Sequence, residues 1–141
     1  MGSESSLWNT LRNNMKDRWR AERIENGVGL GTPDVYATLL ENGSMHWIEL
    51  KHVHEYPKRI TTIVNVDHFT AQQKGFIRRH HKAGANVWVL IQIKRDYYLF
   101  HGLNSLKIGE LTKLGYQTDA DYQWQGSIDY EELSYVLAIN S

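Results

Sequence analysis

The chain has 141 residues, with 16 Lys and Arg, 16 Asp and Glu and no cysteine. This length fits one domain with a sizeable hydrophobic core, and the lack of cysteine excludes disulfides and thiolate metal sites. No apolar run is long enough to span a membrane and no signal-peptide pattern is present, so we expect a cytoplasmic protein. We expect the polar residues 1–6 to be disordered and residues 7–141 to form a single domain.

The first predicted element is a helix over residues 6–24, in which apolar residues recur every four positions (Leu7, Leu11, Met15 and Trp19). The glycine-rich segment 26–33 ends this helix. A strand is predicted over residues 34–40, and the Asn42-Gly43 pair indicates a hairpin turn into a returning strand over residues 45–53.

Residues 60–66 are β-branched and predict either an edge strand or an ordered loop. Thr70 is expected to cap a helix that runs to residue 83 and ends at Gly84. Residues 86–94 predict a central strand buried on both faces, residues 97–101 a further strand, and residues 103–114 a helix. Trp47 and Trp88 lie within strands, so we expect both to be buried rather than to stack on bases.

The charges cancel overall but are segregated along the chain. Residues 51–95 carry nine Lys or Arg against two acids, whereas residues 110–141 carry six acids against one lysine. A basic region suits a polyanionic ligand, although solvated surface is the more common role of such residues taken alone. The residues that we expect to contact nucleic-acid phosphates are Arg23, Lys58, Arg59, Lys74, Arg78, Arg79, His80 and Lys82.

The chemistry of the chain is concentrated at Asp34 and in the triplet Glu49-Leu50-Lys51. Strand alternation places Glu49 and Lys51 on one face and Leu50 on the other. If the two strands pair, Asp34 reaches Glu49, and two carboxylates and an ammonium meet. Carboxylates bind Mg²⁺, and a lysine beside them can hold a phosphate or a water. This pattern predicts phosphodiester hydrolysis, although a charged, half-exposed strand is the ordinary alternative.

Pro33-Asp34, Glu49-Leu50-Lys51 and the glutamines of the segment Thr70-Ala71-Gln72-Gln73 together resemble the PD-(D/E)xK nucleases. The strip over residues 22–35 is similar to small viral members of that superfamily, in the virus-type replication-repair nuclease and Holliday-junction-resolvase-like groups. The resemblance covers about residues 20–102. It implies a restriction-endonuclease-like α/β core, with a mixed central β-sheet flanked by helices.

The resemblance also implies roles for individual residues. Asp34, Glu49 and the Leu50 carbonyl would bind Mg²⁺, for which Mn²⁺ can substitute, and Lys51 would orient the attacking water or hold the scissile phosphate. Gln73 would hydrogen-bond water or phosphate, with Gln72 as the alternative. The family places one more acid on the first helix, and Glu25 is the first choice for it, ahead of Glu22.

The implied protein is a metal-dependent DNA endonuclease acting on Holliday junctions or other branched DNA in phage or bacterial recombination, repair or genome processing. Junction resolution needs two active sites, which favours a homodimer. No HExxH-type spacing is present, which argues against a zinc hydrolase. The alternatives are a non-catalytic nucleic-acid-binding module that keeps the fold, and an interaction protein that docks through its acidic C-terminal segment.

Overall fold

The computed structural model describes residues 2–24 and 31–140. These residues form four α-helices and six strands, with one 3-10 helix between the fifth strand and the third α-helix. In chain order they are α1 (Glu4–Met15), β1 (Trp19–Arg23), β2 (Val35–Leu39), β3 (Met45–Val53), α2 (Ala71–Lys82), β4 (Asn86–Ile93), β5 (Asp96–His101), the 3-10 helix (Gly102–Lys107), α3 (Lys113–Asp119), β6 (Tyr122–Gln125) and α4 (Tyr130–Ile139).

The strands form one mixed sheet in the order β1-β2-β3-β4-β5-β6. All neighbours are antiparallel except β3 and β4, which are parallel. A parallel pair requires a crossover connection, and α2 supplies it. The predicted mixed sheet with flanking helices is therefore confirmed.

Each face of the sheet has its own hydrophobic core. The α1 face is covered by α1 and α4, whose Leu11 and Leu137 pack with Leu50 and Trp88 of the central strands. The α2 face is covered by α2, the 3-10 helix and α3 over Val89 and neighbouring residues of β4. Burial on both faces explains the unbroken apolar run of β4, as predicted.

Four predicted elements are confirmed with bounds that differ by no more than one residue at either end. They are the two hairpin strands, the helix capped by Thr70 and the central strand. The β-branched stretch over residues 60–66 is an ordered loop, with one isolated bridge between Ile63 and Thr112. Among the described residues, no helix has the length and apolar character needed to cross a membrane.

Two predicted helices have different bounds in the structure. The first helix ends at Met15, and Trp19–Arg23 is a strand, because Trp19 reaches the same core from an extended backbone. Within the N-terminal segment, Ser3 and Ser6 form a reciprocal capping box that starts α1. The helix expected over residues 103–114 is instead a 3-10 helix, a loop and the beginning of α3.

Candidate active site

β3 presents an acid and a base, Glu49 and Lys51, on the α2 face of the sheet. Both are 2% exposed, and Lys51 Nζ lies 3.0 Å from Glu49 Oε2. Lys51 Nζ also donates a hydrogen bond to the His68 carbonyl at 2.9 Å. Charged side chains are rarely fully buried unless they are paired, so this pair occupies an environment that ordinary surface charges do not.

Asp34 joins this pair from the start of β2. It lies one residue before Val35, the first residue of β2, which pairs with Ile48 of β3. The Leu50 N–H donates to Asp34 Oδ2 at 2.8 Å, and the Ile24 N–H donates to the Asp34 carbonyl at 2.7 Å. The backbones of β1 and β3 therefore fix Asp34 beside Glu49, as the pairing argument predicts.

Gln73 reaches the site from the first turn of α2. Its Nε2 donates to Glu49 Oε2 at 2.9 Å, while its Oε1 accepts from the Thr70 N–H at 3.0 Å. The capping box that begins α2 thus also orients the amide toward Glu49. Of the two candidate glutamines, Gln73 contacts the carboxylate, whereas Gln72 is exposed.

Gly31 brings the turn before Asp34 against the same end of α2. Its φ is +84°, and a Cβ there would lie 2.2 Å from the Gln72 carbonyl oxygen. Both the left-handed backbone and the close approach require glycine. Gly31 therefore forms a tight turn that leads into Asp34, whereas Gly29 lies outside the described residues.

The electrostatics of Glu49 distinguish it from an ordinary ion-pair carboxylate. The pKa of Glu49 is raised to about 8, first by burial and then by the neighbouring Asp34 carboxylate, against the opposing effect of Lys51. Glu49 Oε1 is buried and accepts no hydrogen bond from a donor among the described residues, while the Glu49 side chain lies within hydrogen-bond reach of the Asp34 carboxyl. A buried oxygen of this kind beside a second carboxylate is a suitable donor for a hard divalent cation.

Of the two candidates for the additional acid, one lies outside the described residues and the other lies on β1. Glu25 lies outside the described residues, and Glu22 is an exposed residue of β1 opposite Tyr36 in the strand register, not a helical one. Among residues 2–24 and 31–140, no three His, Asp or Glu side chains converge as a metal-binding group. The described carboxylates of the site are therefore Asp34 and Glu49.

The sequence did not indicate that Glu4 and His68 lie near the site. Glu4 is the acid in the first turn of α1, and its Oε2 lies 2.9 Å from His68 Nε2, while the His68 carbonyl accepts from Lys51. The two residues and Arg23 line an open depression with His52 beside the site. The signal available in the sequence was the Ser3 cap before the apolar positions of α1, which would have placed Glu4 on a helix.

Most of the basic residues expected to contact nucleic acid lie either on α2 or in the loop after β3. Lys74 Nζ lies 5.3 Å above the Phe69 ring, and Lys51 Nζ lies 5.7 Å from the same ring, so Lys74 adjoins the site. Arg78 and Lys82 follow Lys74 at four-residue intervals and are exposed, which draws a basic line along α2. Exposed Arg79 lies on α2 as well, and Lys58 and Arg59 are exposed in the loop after β3.

Two aromatic predictions have different outcomes. Trp88 is fully buried, as expected. Trp47 is only partly buried, because its ring lies on the α2 face toward β2 and packs against the edge of the core rather than inside it. His80, expected to contact phosphate, stacks on Phe76 with ring centroids 3.8 Å apart.

No family model matches the sequence, and no curated protein matches it. A solved VRR_NUC domain is similar over 64% of this chain and 85% of its own, with 20% identity and a TM-score of 0.46. The Holliday junction resolvase Hjc of Archaeoglobus fulgidus is similar over 81% of this chain and 87% of its own, with 21% identity and a TM-score of 0.49. At such identities the likeness concerns the fold, so neither activity transfers to this chain by itself.

Proposed function

We propose that this chain is a divalent-metal-dependent DNA endonuclease that acts on branched DNA. The observation that carries the proposal is the buried, partly unpartnered Glu49 carboxylate, held against Asp34, Lys51 and Gln73. A structural ion pair would have no need of a second carboxylate that raises the pKa of the first. A phosphodiesterase needs that arrangement to hold a metal ion.

The donor set fits Mg²⁺, with Mn²⁺ as a substitute. The N–H and C=O of one strand residue project to the same side, and the Leu50 N–H points at Asp34. The Leu50 carbonyl therefore projects toward the same side as the Asp34 carboxylate, so Asp34, Glu49 and Leu50 can all supply oxygens. When bound, such an ion lowers the pKa of a coordinated water and neutralises charge on the scissile phosphate.

Lys51 and Gln73 have hydrogen-bond capacity left for substrate. An ammonium has three protons, and Lys51 directs hydrogen bonds to Glu49 and His68. The remaining proton can bind a phosphate oxygen or the attacking water. The Gln73 amide nitrogen likewise has a second proton beyond the one given to Glu49. Lys51 and Gln73 would therefore orient the phosphate and the attacking water.

The basic residues around the site supply the affinity for DNA. Lys74, Arg78 and Lys82 follow one another along α2 from the catalytic end, spanning about 12 Å at 1.5 Å per residue. Arg23, Arg79, Lys58, Arg59 and His80 complete the proposed contact set. Cleavage of a four-way junction on opposed strands requires two such sites, so we propose that the chain acts as a homodimer in recombination or repair, in the cytoplasm of a bacterium or a phage-infected host.

The test is a Mg²⁺-dependent cleavage assay on a four-way junction, a flap, a nicked duplex, a linear duplex and a single strand. Asp34→Asn is the control, because Asn keeps an acceptor for the Leu50 N–H and removes the charge. Paired cuts near the junction, absent with Asp34→Asn, are expected. Cleavage of linear DNA alone would refute the branched substrate, and no metal-dependent cleavage would leave a non-catalytic DNA-binding module.

A further inference from the structure

A pair of aromatic rings lies beside the candidate site and has no part in the proposed mechanism. Tyr36 and Trp47 are directly opposite each other in β2 and β3, with ring centroids 4.4 Å apart at 44°. Both are partly exposed. Met45, whose Sδ accepts a hydrogen bond from the Tyr36 hydroxyl, is 53% exposed. Large side chains that remain partly exposed next to one another on a sheet face suit a contact surface.

The rings are held in place by α2. The edge of Trp47 packs on Phe76 at 5.3 Å and 73°, and Phe76 in turn stacks on His80 at 3.8 Å. Phe76 is 7% exposed, so this support is anchored in the protein interior. A surface that is ordered before binding loses little conformational entropy when a ligand docks.

The position of the rings is tied to the carboxylates by the strand register. Tyr36 follows Asp34 by two residues, and Trp47 precedes Glu49 by two, so all four side chains lie on one face. Two strand residues span about 7 Å, which matches two base steps of a DNA strand at about 3.4 Å each. A strand with its phosphate at the carboxylates therefore brings a neighbouring base to the rings.

We propose that Tyr36 and Trp47 form a stacking platform for an unpaired base of branched DNA, within about two nucleotides of the scissile phosphate. This inference rests on the proposed nuclease function. Inside a duplex the faces of the bases are covered by their neighbours, so a protein ring can stack only where the duplex is open. Branch points, flaps and frayed ends provide such bases.

The platform would give a preference for DNA structure without a preference for sequence. Every base has a π face, so stacking tolerates all four bases. The basic line of α2 contacts phosphates, which carry no base information either. The combination predicts selection of branched over linear duplex DNA, whereas phosphate contacts alone would bind the two about equally per unit length.

The test measures DNA binding without divalent metal, using 2-aminopurine as the reporter base. One substrate carries it unpaired at a branch point, and another carries it inside a linear duplex. Tyr36→Leu removes the ring but keeps an apolar side chain, and Tyr36→Phe keeps the ring but loses the hydroxyl. Tyr135→Leu is the matched control, because Tyr135 is 61% exposed on α4, over the opposite face of the sheet.

Tyr36→Leu should weaken binding of the branched DNA about 5- to 100-fold and abolish the quenching of 2-aminopurine, leaving the linear duplex unchanged. Tyr36→Phe and Tyr135→Leu should behave as the wild type. Trp47→Leu should act in the same direction as Tyr36→Leu. Because Trp47 also packs on Phe76, Tyr36→Leu decides the question if Trp47→Leu does not fold.

Equal affinity of Tyr36→Leu and wild type for branched DNA would overturn the platform. So would an equal loss on branched and linear DNA, or conversion of a dimer to a monomer by light scattering, which would assign the rings to a subunit contact. Adding Mg²⁺ to the same substrates separates the two proposals. Wild-type quenching without cleavage would keep the platform and refute the nuclease, whereas cleavage without quenching would do the reverse.

Discussion

Two buried polar side chains of β3, His46 and Glu49, lie three residues apart on opposite faces of the sheet. His46 is fully buried on the α1 face, and both of its ring nitrogens are bonded, to Trp88 Nε1 and Ser44 Oγ at 2.9 Å each. Glu49 is equally inaccessible on the α2 face, but one of its oxygens has no partner among the described residues. A buried polar group with complete hydrogen bonds stabilises one structure, whereas an incomplete one has capacity for a ligand.

The largest expected difference between Glu49 and His46 is in the rate of DNA cleavage. Glu49→Gln removes a metal-binding charge and Lys51→Ala removes a phosphate or water contact. Each should lower the cleavage rate about a thousandfold or more, since these interactions supply several kcal/mol. DNA binding should stay near the wild-type level. His46→Gln is the matched substitution on the other face and should leave cleavage intact. Unchanged turnover in Glu49→Gln or Lys51→Ala would refute the catalytic assignment.

His46 should instead control stability in acid. Burial lowers the pKa of His46 to about 4, with a further contribution from His101. Below pH 6.5 the unfolded chain binds a proton that the folded chain refuses, so stability present above pH 6.5 is lost as the pH falls toward 4. The loss should reach up to about 3 kcal/mol. Because the raised pKa of Glu49 changes stability in the opposite direction over the same pH range, the His46 contribution is measured by urea unfolding at pH 7 and pH 4.5 as the difference between wild type and His46→Gln.

His46→Gln is the control for this pH dependence, because glutamine can bond both partners without titrating. The part of the acid destabilisation due to His46 should be absent in this variant. If wild type and His46→Gln lose the same stability between pH 7 and pH 4.5, the buried histidine is not its source.

Metal binding at Glu49 and Asp34 should raise the free energy of unfolding of the protein. A ligand at about 100 times its Kd adds roughly 2.7 kcal/mol to the free energy of unfolding, so Mg²⁺ should raise the Tm by several degrees. The increase should vanish in Asp34→Asn and persist in His46→Gln. A Tm that does not respond to Mg²⁺ or Mn²⁺ in the wild type would mean that the unpartnered oxygen is not a metal ligand.

The smallest expected effect concerns the basic line of α2. Charge reversal by Arg78→Glu and Arg79→Glu should weaken DNA binding alike for all sequences and make the slope of log affinity against log salt shallower by about 2. Arg12→Glu, on α1 over the other face, is the control. A loss confined to certain sequences would show that this end of α2 reads bases.

Much of the site was predictable because its determinants are local. The alternation of Glu49 and Lys51, the hairpin signal at Asn42-Gly43 and the Thr70 cap before Gln73 each depend on a few neighbouring residues. Strand pairing then brings Asp34 to Glu49 with little further freedom. The positions that failed depend on distant partners: Trp19 keeps a helical spacing within a strand, since burial in the α1-side core overrides the local pattern.

The sequence by itself determined the order of the central elements, the pairing of β2 with β3 and the set of charged residues that meet there. Only the tertiary structure decided which glutamine contacts Glu49, that His68 contacts both Glu4 and Lys51, and that the Trp47 ring is partly exposed beside Tyr36. Such contacts join residues far apart in the chain, and their geometry is set by how α1 and α2 pack on the sheet. Periodicity fixes the face on which a side chain lies, but the packing of other elements decides whether that face is covered.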